Sequence, residues 1–188
     1  MGYLLTVISR FFSATSQAAA GQLSISMAGI FLLCLPVCYS FAAYAYAILF
    51  KTYTFSPLYA AICALVLTAI FGALFAFLYT KVSSDSFTVL ALSSILAFDA
   101  FIKSFDGLTG GVLGISGIIR PAFIVPLWNL ALFSLLVLMC VLLLHYCILK
   151  TSIGRRIRAF KEHPVALESL GHSKDGVSNF VIISGAVF

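Results

Sequence analysis

The sequence predicts an all-α, polytopic integral membrane protein, and three observations lead to this fold class. First, 62% of the 188 residues are hydrophobic and only 9% are charged, which is far from the balance found in soluble domains. Second, several apolar runs approach the roughly 20 residues that a helix needs to cross a bilayer. Third, lipid offers no hydrogen-bond partner to an unpaired peptide group, so runs of this length form helices, in which the backbone groups bond to one another.

Four apolar runs predict membrane-spanning helices, and a fifth predicts part of one. The four spans cover about residues 28–50, 57–79, 86–102 and 125–149, and the partial span covers residues 177–188. Pro36 lacks a backbone donor and is expected to kink or break the first span. The fifth run is shorter than a span requires, so we expect the chain to end inside a helix of a longer protein.

The segment between the last two runs, residues 150–176, sets the predicted orientation. It holds five of the eleven basic residues, namely Arg155, Arg156, Arg158, Lys161 and Lys174. Loops rich in lysine and arginine face the cytoplasm. Alternation of the spans then places residues 51–56 and 103–124 outside, and residues 80–85 and the N-terminus inside.

The same cytoplasmic segment is predicted to contain two helices. Ile153 and Ile157 lie four residues apart and start an apolar stripe that leaves the arginines on another face. Pro164 suits the first turn of a second, short helix that reaches Leu170 and ends at Gly171. A short helix of this kind fits an element that contacts a soluble partner. The alternative is a basic loop that binds lipid headgroups.

A glycine-rich segment, LTGGVLGISGIIRP from Leu108 to Pro121, follows the third span. A phosphate-binding loop would need a lysine after its last glycine and a strand before it, and neither is present. The glycines instead predict a tight, irregular external loop in which Arg120 is extended before Pro121. We interpret the loop as a lip at the outer mouth of a solute path, although a plain turn explains the glycines equally well.

Two polar features fall in or beside the predicted spans. Asp99 is a carboxylate inside the third span, where an ionisable group predicts a functional site. Lys103 lies four residues later, so a simple ion pair is the alternative. Before the first span, the polar Gly21, Gln22 and Ser24 predict a broken helix that is packed in protein or lines a water-filled path.

Other functional classes find little support in the sequence. The cysteines lie inside apolar runs without metal-binding spacing, so neither a metal site nor any other cofactor is expected. The five are Cys34, Cys38, Cys63, Cys140 and Cys147. The basic residues cluster in one inter-helix segment and not on a soluble face, so no nucleic-acid partner is expected. A catalytic residue is not predicted either.

Three stretches, taken in order, resemble the permease subunit of bacterial branched-chain amino-acid ABC importers, whose wider family includes urea and amide importers. AGQLSISMAGIF, from Ala20 to Phe31, resembles the start of a pore helix. LTGGVLGISGIIRP resembles the external loop, and SIGRRIRAFKEHPVALESLGHS resembles the cytoplasmic coupling segment. The resemblance covers nearly all of the chain from about residue 20 onward, and implies a helical bundle of ABC importer permease type that is incomplete at its C-terminus.

The resemblance also implies partners and roles. A subunit of this kind lies in the bacterial inner membrane, pairs with a second permease, receives solute from a periplasmic binding protein and is driven by two cytoplasmic ATPase subunits. Residues 1–188 would form a single permease domain without an enzymatic site of its own. The coupling residues would be Arg155, Arg158, Pro164, Ala166, Glu168 and Gly171. The external-loop residues would be Thr109, Gly110, Gly111, Gly114, Gly117 and Arg120.

Two other functions stay open at the level of sequence. The chain could be an ion-coupled secondary carrier that uses Asp99 as a proton or cation site. It could also be a truncated remnant that inserts into the membrane without activity. Uptake that depends on a separate ATPase would distinguish the importer subunit from both alternatives.

Overall fold

The protein is built from helices, which confirms the predicted all-α class. The computed structural model describes residues 2–30, 32–118, 126–162, 167, 169, 171 and 173–187, and no strand occurs among them. The α-helices are α1 (Gly2–Gln22), α2 (Leu35–Lys51), α3 (Pro57–Lys81), α4 (Ser84–Ser104), α5 (Asp106–Thr109), α6 (Leu127–Lys150), α7 (Ser152–Glu162) and α8 (Lys174–Val187). A π-helix covers Leu23–Ala28, and a 3-10 turn covers Gly111–Leu113.

Three of the described helices, α3, α4 and α6, are long and apolar enough to cross a membrane. They contain 25, 21 and 24 residues, whereas the apolar α2 contains 17. Large apolar side chains such as Ile70, Leu96 and Leu136 stay exposed on them. Apolar surface of this extent suits contact with lipid, because a soluble monomer rarely exposes it to water.

Local sequence signals set the ends of these long helices. Pro57 lies in the first turn of α3, where its missing N–H is not needed. Ser83 caps α4, because its hydroxyl accepts a hydrogen bond from the Ser86 N–H at 3.4 Å. The last turns of α3 and α6 carry Lys81 and Lys150, whose charges suit both a helix C-terminus and a watery interface.

The structure differs from the first predicted span at its N-terminal end. The π-helix ends at Ala28 and is followed by Gly29, which adopts a left-handed conformation with φ of 72°. The helix α2 begins only at Leu35. Pro36 lies in the first turn of α2, where a proline replaces no helical hydrogen bond. The break therefore precedes the proline. The helix α1 lies outside every predicted span.

The helices form two compact units. The first unit contains the described residues of 1–30 and 120–181, and the second contains those of 31–119 and 182–187. The helix α8 contributes its first residues to the first unit and its last residues to the second. The first unit holds the predicted pore-helix start and the described coupling residues, and the second holds the described glycine-rich segment and Asp99.

In the first unit, α1 packs along α6 and runs in the same direction. A Cβ atom at Gly2 would lie 3.3 Å from the side chain of Leu127, so the two helices begin side by side. Beyond their other ends, the Ser26 carbonyl accepts a hydrogen bond from Lys161 Nζ at 2.8 Å. Contacts at both ends in the same order make α1 and α6 parallel.

In the second unit, α2, α3 and α4 pack around Phe41. Its ring stacks on Phe71 of α3 with centroids 4.5 Å apart, and lies 6.3 Å from the ring of Phe98 of α4. Aromatic pairs at such distances add to the stability gained from burial. On α3, a Cβ atom at Gly72 would lie only 2.6 Å from the Cβ of Ala186 on α8, so small residues are needed where α3 and α8 meet.

Candidate functional site

The glycine loop, defined here as residues 106–118, has a backbone that glycine makes feasible. The φ angle is 73° at Gly110, 55° at Gly111, 69° at Gly114 and 80° at Gly117. Residues with a Cβ atom rarely adopt φ angles in this range. The N–H of Gly110 closes α5 by donating to the Asp106 carbonyl at 3.1 Å. A Cβ atom at Gly110 would overlap the carbonyl oxygen of Gly114. The loop is therefore compact as well as irregular.

Two side chains fasten the glycine loop within the second unit. The buried Thr109 hydroxyl lies 2.6 Å from the Ile102 carbonyl and 2.7 Å from the Phe105 carbonyl, so its proton is shared between two acceptors at the end of α4. At the other side of the loop, Lys51 Nζ donates to the Ser116 carbonyl at 2.6 Å. The sequence analysis did not single out Lys51. The ends of α2 and α4 thus hold the loop in place.

Thr109→Val is expected to lower the stability of the detergent-solubilised protein by about 1–3 kcal/mol, because the Ile102 carbonyl loses a buried hydrogen bond and the Phe105 carbonyl a part-buried one, while the shape of the side chain is kept. The midpoint of thermal unfolding measures the change. Thr88→Val is the matched control, since the exposed Thr88 hydroxyl bonds only to its own helix, at Ser84. Equal shifts in the two variants would show that the Thr109 hydroxyl does not fasten the loop.

The helix α7 forms the second region of interest, in the first unit. Ile157 is fully buried and Gly154 is buried beside it, whereas Arg155 and Arg158 are exposed. Ile153, which the sequence predicts on the same apolar stripe, stays 37% exposed. It lines a groove of about 380 Å³ together with Arg156, Gly171 and Phe180. The groove and the two exposed arginines give α7 a surface that a partner can contact.

A lysine ties α7 to the π-helix. Lys161 Nζ donates to the carbonyl of Ser26, and its stem packs 3.3 Å from where a Cβ of Gly29 would be. Sequence reasoning treated Lys161 only as part of the basic cluster. π-helices often mark functional sites. The contact between α7 and residues 23–28 joins the predicted coupling segment to the predicted start of the pore helix, which are far apart in the sequence.

The three pore-helix residues lie where α1 passes into the π-helix. Gly21 is buried and Gln22 is exposed. Ser24 is fully buried, and its hydroxyl donates to the Gly21 carbonyl at 2.7 Å. The arrangement leaves Gln22 as the one side chain of the three that can reach a solute or a neighbouring subunit.

Asp99 lies in an ion pair on α4. Its Oδ2 accepts a hydrogen bond from Lys103 Nζ at 2.6 Å. The side chains of Asp99 and Lys103 are 59% and 53% exposed, so this pair is a surface feature of the second unit. Each charge compensates the other at helical spacing.

Four predicted site residues lie outside the described part of the chain: Arg120, Pro164, Ala166 and Glu168. The predicted short helix from Pro164 to Leu170 falls mostly there as well. Among its described neighbours, Leu167 is buried and Gly171 adopts a φ of 78°. Within the described residues, His, Cys, Asp and Glu side chains form no group of three that could hold a metal ion.

Comparison with known families now decides the class of protein. The family model described as "Branched-chain amino acid transport system / permease component" matches residues 3–188. The chain belongs to this permease family. It is therefore a multi-pass membrane protein of ABC-type transmembrane transport, as the apolar helices and the three sequence motifs predict. No curated protein and no solved structure matches the chain.

Proposed function

We propose that the chain is the membrane-spanning subunit of an ATP-driven importer for branched-chain amino acids or a similar small polar solute. The hydrogen bond from Lys161 of α7 to Ser26 of the π-helix carries the proposal. A soluble partner that displaces α7 would act directly on the segment that leads into α2. Motion driven by ATP at the membrane surface would thus reach α2, which occupies most of the first predicted span, through one contact.

The proposed assembly lies in the bacterial inner membrane. It contains this chain, a second permease subunit, two cytoplasmic ATPase subunits and a periplasmic solute-binding protein. Membership of the permease family supports such an assembly. The exposed Arg155 and Arg158 and the groove at Gly171 support the ATPase contact in particular, because a charged surface favours docking of a complementary soluble partner.

The proposed orientation follows from the basic α7 and the packing of the first unit. Because α7 follows α6 and faces the cytoplasm, α6 would run from outside to inside. The parallel α1 would run the same way and deliver Gly21, Gln22 and Ser24 to the cytoplasmic side, close to α7. The segment just before residue 28 is then inside, whereas Gly2 is outside, which differs from the predicted inside position of the N-terminus.

Uptake by the reconstituted assembly tests the proposal. Membrane vesicles that contain the chain with the proposed ATPase subunits, second permease and binding protein are expected to accumulate labelled leucine only with ATP. A protonophore should leave uptake unchanged. Uptake that persists without the ATPase and collapses with the proton gradient would support the ion-coupled carrier. Absence of uptake with all partners present would support the inactive fragment.

A further inference from the structure

A groove of about 420 Å³ runs between α1 and α6 in the first unit. On the α1 side it is lined by Ser9, Arg10 and Ser13, with further hydroxyls above and below them. On the α6 side the apolar Leu130, Phe133 and Val137 line it together with Ser134, whose hydroxyl donates to the Ala131 carbonyl at 2.9 Å. One wall is therefore polar and basic, and the other is mainly apolar.

Among the described residues that line this groove, Arg10 is the one cation, and its N–H donors are available. The Ser9 hydroxyl donates to the Thr6 carbonyl and the Ser13 hydroxyl donates to the Arg10 carbonyl, at 2.9 Å each. Both oxygens keep lone pairs that can accept a further bond. Within the described part of the chain, the exposed Arg10 guanidinium has neither a hydrogen-bond nor an ion-pair partner, so its planar fork can take an anion from outside.

A membrane-spanning α6 would place the groove at membrane depth. Its α6 residues, from Leu130 to Val137, belong to the first half of a helix that is long and apolar enough to cross a bilayer. A guanidinium facing hydrocarbon there is unfavourable by several kcal/mol. On α1 the exposed Leu4 and Phe11 lie on the opposite side of the helix from Ser13, and Arg10 lies at the border between the two sides. The groove, which Arg10 helps to line, offers its guanidinium a polar alternative to lipid.

We infer that this groove binds the carboxylate of a small amino acid with an apolar side chain. Arg10 would hold the carboxylate through two parallel N–H···O bonds, a geometry that guanidinium groups favour. The Ser9 oxygen would accept from the ammonium group, and Leu130, Phe133 and Val137 would contact the apolar side chain. The inference rests on the proposed transport of such solutes and names the residues that meet them within this chain.

Protection of a cysteine in the groove tests the inference without a transport assay. Ser13→Cys, in membrane vesicles that contain the full chain, is labelled with an anionic or a cationic methanethiosulfonate, and labelling of the parent chain is subtracted. The anionic reagent is expected to react faster because of the Arg10 charge. L-leucine should slow the labelling, whereas L-leucinol, which lacks the carboxylate, should not. Thr15→Cys, on the face of α1 away from the groove, should show neither effect.

Arg10→Gln in the Ser13→Cys background provides the decisive comparison. The leucine concentration that gives half-protection is expected to rise about 10- to 100-fold, the usual weight of hydrogen bonds to a charged group. Lys81→Gln removes a charge outside the groove and should leave the half-protecting concentration unchanged. An unchanged value in Arg10→Gln, equal protection by leucinol, or exclusion of both reagents from Ser13→Cys would overturn the assignment.

The two proposals can fail separately. ATP-driven leucine uptake by the assembly, together with no leucine protection of Ser13→Cys, would preserve the importer and overturn the groove. Carboxylate-dependent protection that Arg10→Gln weakens, without any ATP-driven uptake, would support the groove and reject the importer.

Discussion

Gly110→Ala is expected to destroy the glycine loop and to lower solute uptake at least tenfold. An alanine with φ near 73° is strained by about 1–3 kcal/mol. Its Cβ would also overlap the backbone carbonyl of Gly114, and a backbone group cannot rotate away as a side chain can. The loop must therefore open, which removes the surface proposed to receive solute. Uptake in reconstituted vesicles and thermal unfolding of the solubilised protein measure the two effects.

A series of glycine replacements separates the overlap from the strain. Gly117→Ala meets no atom within 4 Å and keeps only the strain of φ near 80°. In Gly111→Ala the new Cβ overlaps the Asp106 carboxylate, a side-chain end that can move aside. Gly107→Ala has neither problem and is the control. We expect losses in the order Gly110, Gly111, Gly117, Gly107. A Gly110→Ala protein as stable and active as Gly107→Ala would reject a shaped loop.

The long helices were the part of the fold that the sequence could predict. Residues 57–79, 86–102 and 125–149 are predominantly apolar, and α3, α4 and α6 occupy these positions. A long apolar run favours helix because lipid requires internally satisfied peptide groups. Hydropathy does not set the exact ends, and α3 continues to Lys81, a charged residue that suits a helix C-terminus.

The sequence did not predict α1, because this helix is stabilised by features other than a continuous apolar run. Arg10 and the hydroxyl residues on α1 interrupt the apolar run, so the usual hydropathy signal is absent. The hydroxyls of Thr6, Ser9, Ser13 and Ser16 bond back to carbonyls of the same helix. The polar groups are thus satisfied locally, and packing along α6 supports the helix. Regular spacing of Thr6, Ser9, Ser13 and Ser16 was the available signal.

The contacts of the candidate sites were beyond sequence reasoning for a different reason. Lys161 and Lys51 bond to the carbonyls of Ser26 and Ser116, which are 135 and 65 residues away in the chain. A backbone carbonyl exists at every residue, so no residue type marks the partner. By contrast, the glycines of the loop could be predicted as special positions, because left-handed backbone strongly favours glycine.

Charge reversal in the coupling segment is expected to have the other large effect. Glu168→Arg should reduce uptake at least tenfold while ATP hydrolysis by the partner subunits continues. By resemblance Glu168 belongs to the motif that seats in the ATPase. A basic ATPase group that pairs with the Glu168 carboxylate would meet a like charge in the variant, which opposes docking by several kcal/mol. Each 1.4 kcal/mol is about tenfold in an equilibrium constant. The change touches none of the proposed spans, so membrane insertion should be normal.

Glu162→Arg is the matched control for Glu168→Arg. It makes the same charge reversal at the exposed end of α7, outside the proposed motif, and should leave uptake coupled to ATP hydrolysis.

If coupling requires the Lys161 contact as well, Lys161→Met should lower uptake too, because the π-helix would no longer follow α7. A Glu168→Cys variant should react with a membrane-impermeant thiol reagent only from the cytoplasmic side. Normal transport by Glu168→Arg, or an equal loss in Glu162→Arg, would remove Glu168 from the coupling role, and labelling from the outside alone would reverse the orientation of α6 and α7.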